Sequence, residues 1–168
     1  MNAEDVGIIT IPSRYEIEVF PDGNDDDDGT MTESAKMLQS AIVGRRIISA
    51  EKRHISGKYS WDSGEYLVLG LDNQTEVILR EEGDCCAFTQ VDFFKLIDTE
   101  HVITSVGTSD GFQKWYIYAE NNPVLEMGVD WSCGNPFYYG YGFSIQVVPL
   151  TIVVDAPESK PAPKEVER

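Results

Sequence analysis

Basic residues are scarce in this chain. Thirteen Lys and Arg stand against 29 Asp and Glu, a net charge of −16 over 168 residues. An acid excess of this size disfavours phosphate backbones and anionic membranes, so direct nucleic-acid binding is not expected. Long apolar runs are also missing, and none approaches the ~20 residues of a membrane span. The opening residues Met1–Asp5 hold neither the basic nor the apolar stretch of a secretory signal. Cysteine is limited to three residues, two of them adjacent. That is a poor disulfide framework and suits a reducing compartment. Glycine-rich phosphate loops, paired zinc-binding histidines and nucleophile elbows are absent as well. These absences point to a soluble, intracellular, non-enzymatic protein with no cofactor.

Aromatics are plentiful, with 8 Tyr, 7 Phe and 3 Trp, and such rings favour strands and supply large buried area. The acid excess is uneven: residues 1–33 hold ten acids and one base, Arg14. Within this region Tyr15-Glu16-Ile17-Glu18-Val19-Phe20 alternates with the period of a half-buried strand. Pro21 through Gly29 contains five Asp and two Gly; like charges repel and little apolar surface offsets ordering, so it reads as a solvated linker. A helix follows, with Thr30 as its N-cap, Glu33 at the capping-box position, and Met31, Ala35, Leu38 and Ile42 on one face. Gly44 should end it. Strands are expected around Ile47–Ala50, Tyr66–Leu69, Glu76–Leu79, Val102–Ile103, Lys114–Tyr118, Val124–Val129 and Gly142–Val148, with Asp72-Asn73 turning a hairpin. Val91–Ile97 reads as a short helix capped by Thr89. Pro157, Pro161 and Pro163 among charges mark a tail. The expected fold is therefore α+β: mainly antiparallel sheet, as a meander or partly open barrel, with one N-terminal helix and one short helix. Its parts are an acidic extension and Asp-rich linker at 1–29, a β-rich domain at 30–150 and a Pro/charged tail at 151–168.

Candidate chemistry is thin. Cys85, Cys86, His101 and Cys133 are weak zinc ligands by type, but adjacent cysteines on extended backbone point to opposite faces and the usual spacing is missing. No metal site is therefore expected. Reading Asn24, Asp26, Asp28 and Gly29 as a calcium loop puts Ala35 where the bidentate Glu belongs. Arg45, Arg46, Lys52, Arg53, His54 and Lys58 form a basic cluster, read as an internal partner for the acidic extension. The most distinctive segment is Trp131–Phe143, where rings alternate with glycines. Phe137, Tyr138, Tyr139, Tyr141 and Phe143 are the candidate contacts to a protein partner, since Tyr offers much contact area for little lost rotamer entropy.

Gly44-Arg45-Arg46-Ile47-Ile48, Leu71-Asp72-Asn73-Gln74-Thr75, Gly83-Asp84-Cys85-Cys86-Ala87 and Tyr138-Tyr139-Gly140-Tyr141-Gly142-Phe143 occur in that order. Over about residues 36–149 the chain resembles a small uncharacterised domain family of actinobacteriophages and their hosts. The resemblance implies a phage setting, in the host cytoplasm or the virion, and brings no activity with it. The resulting expectation is a non-enzymatic phage accessory protein that binds another protein, with an assembly holding its charged ends. Two alternatives remain: an acidic DNA mimic that blocks a host nucleic-acid-binding protein, and a metal- or thiol-dependent enzyme.

Overall fold

Leu67, Leu69 and Leu71 recur at every second position, as do Val77 and Leu79, so two neighbouring strands can present one apolar face. The computed structural model describes residues 14–20, 27–84, 86–134 and 140–150. In it these residues form the middle of a four-stranded antiparallel sheet. β1 (Ile47–Ile55), β2 (Gly64–Leu71), β3 (Thr75–Glu81) and β8 (Phe143–Pro149) lie side by side in the order β1-β2-β3-β8. The hairpin expected at Asp72-Asn73 is present, and Gln74 takes the left-handed conformation (φ 63°) that closes it.

A second antiparallel sheet is built from β4 (Phe88–Leu96), β5 (Ser105–Ser109), β6 (Lys114–Ala119) and β7 (Asn122–Ser132), in the order β4-β7-β6-β5. The two sheets and the helix α1 (Thr30–Ile42) share one buried cluster. Leu67, Leu69 and Leu79 contribute from the first sheet, Trp115, Ile117 and Leu125 from the second, and Met31, Ala35, Leu38 and Ile42 from the helix. Full burial of each Leu or Ile contributes roughly 1.5–3 kcal/mol, so this shared layer makes the two sheets one folding unit.

The antiparallel, β-rich expectation holds as two sheets that do not close into a barrel, within which β1-β2-β3 and β5-β6-β7 follow one another as meanders. The short helix expected at Val91–Ile97 is strand β4 instead. A register shift between Val91 and Phe93 leaves Asp92 as an extra residue, so the inward set changes from Thr89 and Val91 to Phe94 and Leu96. The resulting step of three between Val91 and Phe94 imitates a helical period. No strand forms at Val102–Ile103, and β5, poor in apolar residues, carries no strong strand signal in its Ser-Val-Gly-Thr-Ser sequence.

Helix α1 starts differently from its sequence reading. Gly29, in a left-handed conformation, is the N-cap, and Thr30 is the first helical residue. The free amides are served by the aspartate run: Asp28 accepts from Thr30 N (3.1 Å) and Thr30 Oγ1 (2.5 Å), and Asp27 accepts from Met31 N (3.2 Å). The Tyr141 hydroxyl lies between the same two carboxylates, 2.6 Å from Asp27 and 2.8 Å from Asp28, and accepts the Asp28 amide at 3.0 Å. Burial first, then the hydrogen bond to Asp27, raises the Tyr141 phenol above its ordinary range. Gly44 follows the helix with φ 85°, as its sequence position suggests.

Residues 14–20 form a strap along the edge of β5. Thr108 N donates to the Glu16 carbonyl (3.0 Å), and Glu18 N donates to Thr108 Oγ1 (2.9 Å). A side chain at position 107 could not coexist with this strap, because a Cβ on Gly107 would stand 2.0 Å from the Tyr15 carbonyl oxygen. Asp110, Gly111 and Phe112 all have positive φ (55°, 65° and 61°), which turns successive amides toward one point. Glu18 occupies that point, accepting from Gly111 N (3.1 Å) and Phe112 N (2.6 Å). The strap and the helix cap therefore join residues on both sides of the boundary expected at 29. The tail at 151–168 lies outside the described residues.

Two outcomes follow from these contacts. Glu18→Ala leaves two inward-turned amides without their acceptor, and a urea melt should show a loss of about 1–3 kcal/mol. Hydrogen bonds from Thr30, the hydroxyl first, hold the Asp28 carboxyl below its ordinary value. A depressed folded-state value means that this stabilisation is present above about pH 4 and is lost as pH falls through the folded value. Melting temperature should accordingly drop more steeply between about pH 5 and pH 2 in the wild-type protein than in Asp28→Asn.

Candidate functional site

Of the five ring residues proposed from sequence, Phe137, Tyr138 and Tyr139 lie outside the described residues. Tyr141 and Phe143 are buried, at 8% and 5% exposure. The Tyr141 ring stacks on Trp131 (5.8 Å, 11°), and Phe143 meets Trp115 edge-on (5.4 Å, 87°).

Of the weak metal candidates, His101 lies apart from Cys86 and Cys133. Cys86 occupies the Asp84–Ala87 turn, whose ends exchange backbone hydrogen bonds of 2.9 and 2.8 Å. Gly134 packs against it, since a Cβ there would come within 2.9 Å of Cys86 Sγ; Cys133 is the preceding residue and is half-buried. His101 pairs with Asp98 beyond the other end of β4, roughly 27 Å away at strand rise. Cys85 lies outside the described residues, and among the described residues no three His, Cys, Asp or Glu side chains converge on a metal position. The basic cluster is also dispersed. Arg46 pairs with Asp72, Lys52 with Glu81 and the Val91 carbonyl, and Arg53 with Glu51 and Glu76. Among the described residues these partners lie on strands and in the β2–β3 turn.

The site that stands out is on the outer face of the second sheet, where a groove of about 500 Å³ runs over β7. The register builds it in rungs. Phe93, Gly128 and Lys114 lie side by side across β4, β7 and β6, and the next rung is Lys95, Glu126 and Tyr116. Gly128 forms the floor, and the bulge turns Asp92 onto it: a Cβ on Gly128 would stand 2.6 Å from Asp92 Oδ1. Bulges at edge strands commonly re-aim a side chain in this way.

The groove walls are aromatic. Phe93 is 54% exposed, and Tyr116 is half-buried in a stack between Tyr15 (5.2 Å, 17°) and Tyr118 (6.0 Å, 27°). A ring as exposed as Phe93 has lost little contact with water, so packing does not account for it.

The charges are unbalanced. Lys114 binds Asp110 (3.1 Å), which raises the ammonium above its ordinary value, the hydrogen bond being the larger cause. Asp92, Glu126 and Asp130 form no ion pair among the described residues. Sequence reasoning missed this face because it placed Phe93 on a helix; the signal was the mixture of Asp92 and two Phe where strict alternation broke down.

Residues 40–145 match the model of a family described as Domain of unknown function (DUF7448). No curated protein and no solved structure matches the chain. The matched residues begin near the end of α1 and stop inside β8, so they take in the groove and leave out the strap.

If Phe93 is a surface ring, Phe93→Ala should change unfolding free energy by about 1 kcal/mol or less. Trp115→Ala, on the inner face of the same sheet, should cost about 3–5 kcal/mol. Paired urea melts separate the two faces.

Proposed function

The chain belongs to the DUF7448 family, a domain of unknown function, and we propose that it is a non-enzymatic binding module whose outer second-sheet face docks another protein. The observation that carries this reading is Phe93: a large ring, half in solvent, beside an open groove with a glycine floor. Exposed aromatic side chains flanked by polar groups are the usual anchors of protein contacts. The groove is also broad enough to bury a side chain from a partner, and it lies on regular strands, which hold its walls in place.

The setting proposed is a bacteriophage or its host. It follows from the resemblance carried by the Gly83–Ala87 and Tyr138–Phe143 segments. No membrane role is part of the proposal, and among the described residues no helix is long and apolar enough to cross a bilayer.

The test uses a photo-crosslinking phenylalanine analogue at position 93, in the full chain, irradiated in a lysate of the source cells. A control carries the same analogue at Val102, which is also exposed. The expected result is a discrete adduct from position 93 and none from position 102. The reading is overturned by no adduct, or by the same ladder from both positions.

A further inference from the structure

We propose that the groove over β7 takes an extended, arginine-bearing segment of its protein partner, with basic residues at every second position. This inference rests on the reading of the face as a protein-binding surface and assigns the chemistry of what binds there.

Charge is the first argument. The face carries the carboxylates Asp92, Asp110, Glu126 and Asp130 against the ammonium groups Lys95 and Lys114. One of the ammonium groups is committed to Asp110 at 3.1 Å, and Lys95, opposite Glu126, forms no ion pair within 4.0 Å among the described residues. An acidic ligand, nucleic acid included, would meet uncompensated negative charge; a cationic one supplies the missing partners.

Spacing is the second argument. Glu126, Gly128 and Asp130 share one face of β7 because strand side chains alternate. They are therefore about 7 Å apart in sequence order, with roughly 13 Å from Glu126 to Asp130. The bulge puts the Asp92 carboxylate over the middle position, where Gly128 has no side chain of its own. Three acids thus follow the repeat of a strand, and an extended partner presents its alternate side chains at the same repeat. A helical segment would line up cations only at every third or fourth position, about 5–6 Å apart, a different sequence pattern and a shorter repeat.

The third argument is the walls. Phe93 and Tyr116 flank the acids, with Phe93 presenting its ring to solvent, so an entering side chain needs an apolar stem and a flat cation. Arginine has both: its guanidinium stacks on rings and forks onto a carboxylate, whereas the lysine ammonium is a strongly hydrated point charge. The groove is preformed and the acids sit on sheet rather than loop. The selectivity expected is therefore one of register, not merely of net charge.

Register is what the experiment reads. A labelled short peptide alternating arginine and alanine is titrated into the full chain by fluorescence anisotropy. Its isomer with the arginines contiguous and one alternating lysine and alanine are titrated in parallel. The alternating arginine peptide should bind about tenfold tighter than either. Gly128→Ala, whose new methyl displaces the Asp92 carboxylate while leaving the strand intact, should abolish that preference, as should Asp92→Asn. Melting curves of both variants verify that the fold is kept; Phe93→Ala serves as a third variant if either fails. Equal affinity for the two arginine isomers would overturn the proposal, since it would show only diffuse attraction to a chain of charge −16. So would a preference that survives in all three variants. If the peptides fail while the position 93 adduct forms, the binding face stands and its assigned chemistry falls.

Discussion

The edge-on contact between Trp115 and Phe143 joins the two sheets, and most of the remaining structure is connected through it. Trp115 belongs to β6 and is fully buried; Phe143 opens β8, in the other sheet. The Trp115 indole N–H donates to the Phe112 carbonyl at 2.7 Å, which meets the one polar requirement of a buried Trp and fixes the β5–β6 turn. From Phe112 the contacts branch. Its ring meets Phe20 of the strap at a right angle (5.3 Å) and Trp131 of β7 (6.4 Å). Trp131 stacks on Tyr141, whose hydroxyl holds Asp27 and Asp28 at the start of the helix. A single aromatic seam therefore connects strap, both sheets and helix cap, and removing its centre would loosen all four.

That seam explains which parts of the fold were legible in the sequence. Helix α1 was legible because Met31, Ala35, Leu38 and Ile42 face one surface and Gly44 stops the chain. The β2–β3 hairpin was legible because both strands alternate without interruption. The ring-rich segment combines large aromatic area with glycines, but the sequence does not say on which side of the sheet a ring falls. Tyr141 and Phe143 became the seam because Asp27 accepts from the Tyr141 hydroxyl, Ser34 from the Phe143 amide and Thr89 from the amide of Gly142 between them. The groove was illegible because one extra residue, Asp92, shifts the phase of β4. A rule of period two then assigns Phe93 and Phe94 to the wrong sides.

The strap shows a second limit of local reading. Tyr15–Phe20 alternates like a strand, yet its contacts with β5 consist of one backbone bond and one side-chain bond rather than a ladder. What makes it fit is elsewhere in the chain: the missing side chain at Gly107 and three consecutive left-handed residues at 110–112. Left-handed backbone at Asp110 and Phe112, where no glycine relieves it, is uncommon. Here it is offset by Glu18, whose carboxylate accepts two of the amides so turned. The strap in turn covers part of an edge strand that would otherwise present unpaired groups.

Acidic residues in this chain thus divide by use. Glu18, Asp27 and Asp28 lie in the most acidic stretch of the sequence, yet each is bound by amides or hydroxyls, and none is free to attract a cation from solution without breaking the fold. Asp92, Glu126 and Asp130 come from strands of ordinary composition and have no such partners among the described residues. Net charge alone cannot tell these groups apart; the hydrogen bonds each one accepts do. A bound carboxylate stabilises its own fold by accepting hydrogen bonds at short range. An unpaired one beside an exposed ring remains available to a ligand, and it is costly to bury unless that ligand brings a cation. The same physical chemistry therefore assigns the first set to architecture and leaves the second available to the partner proposed above.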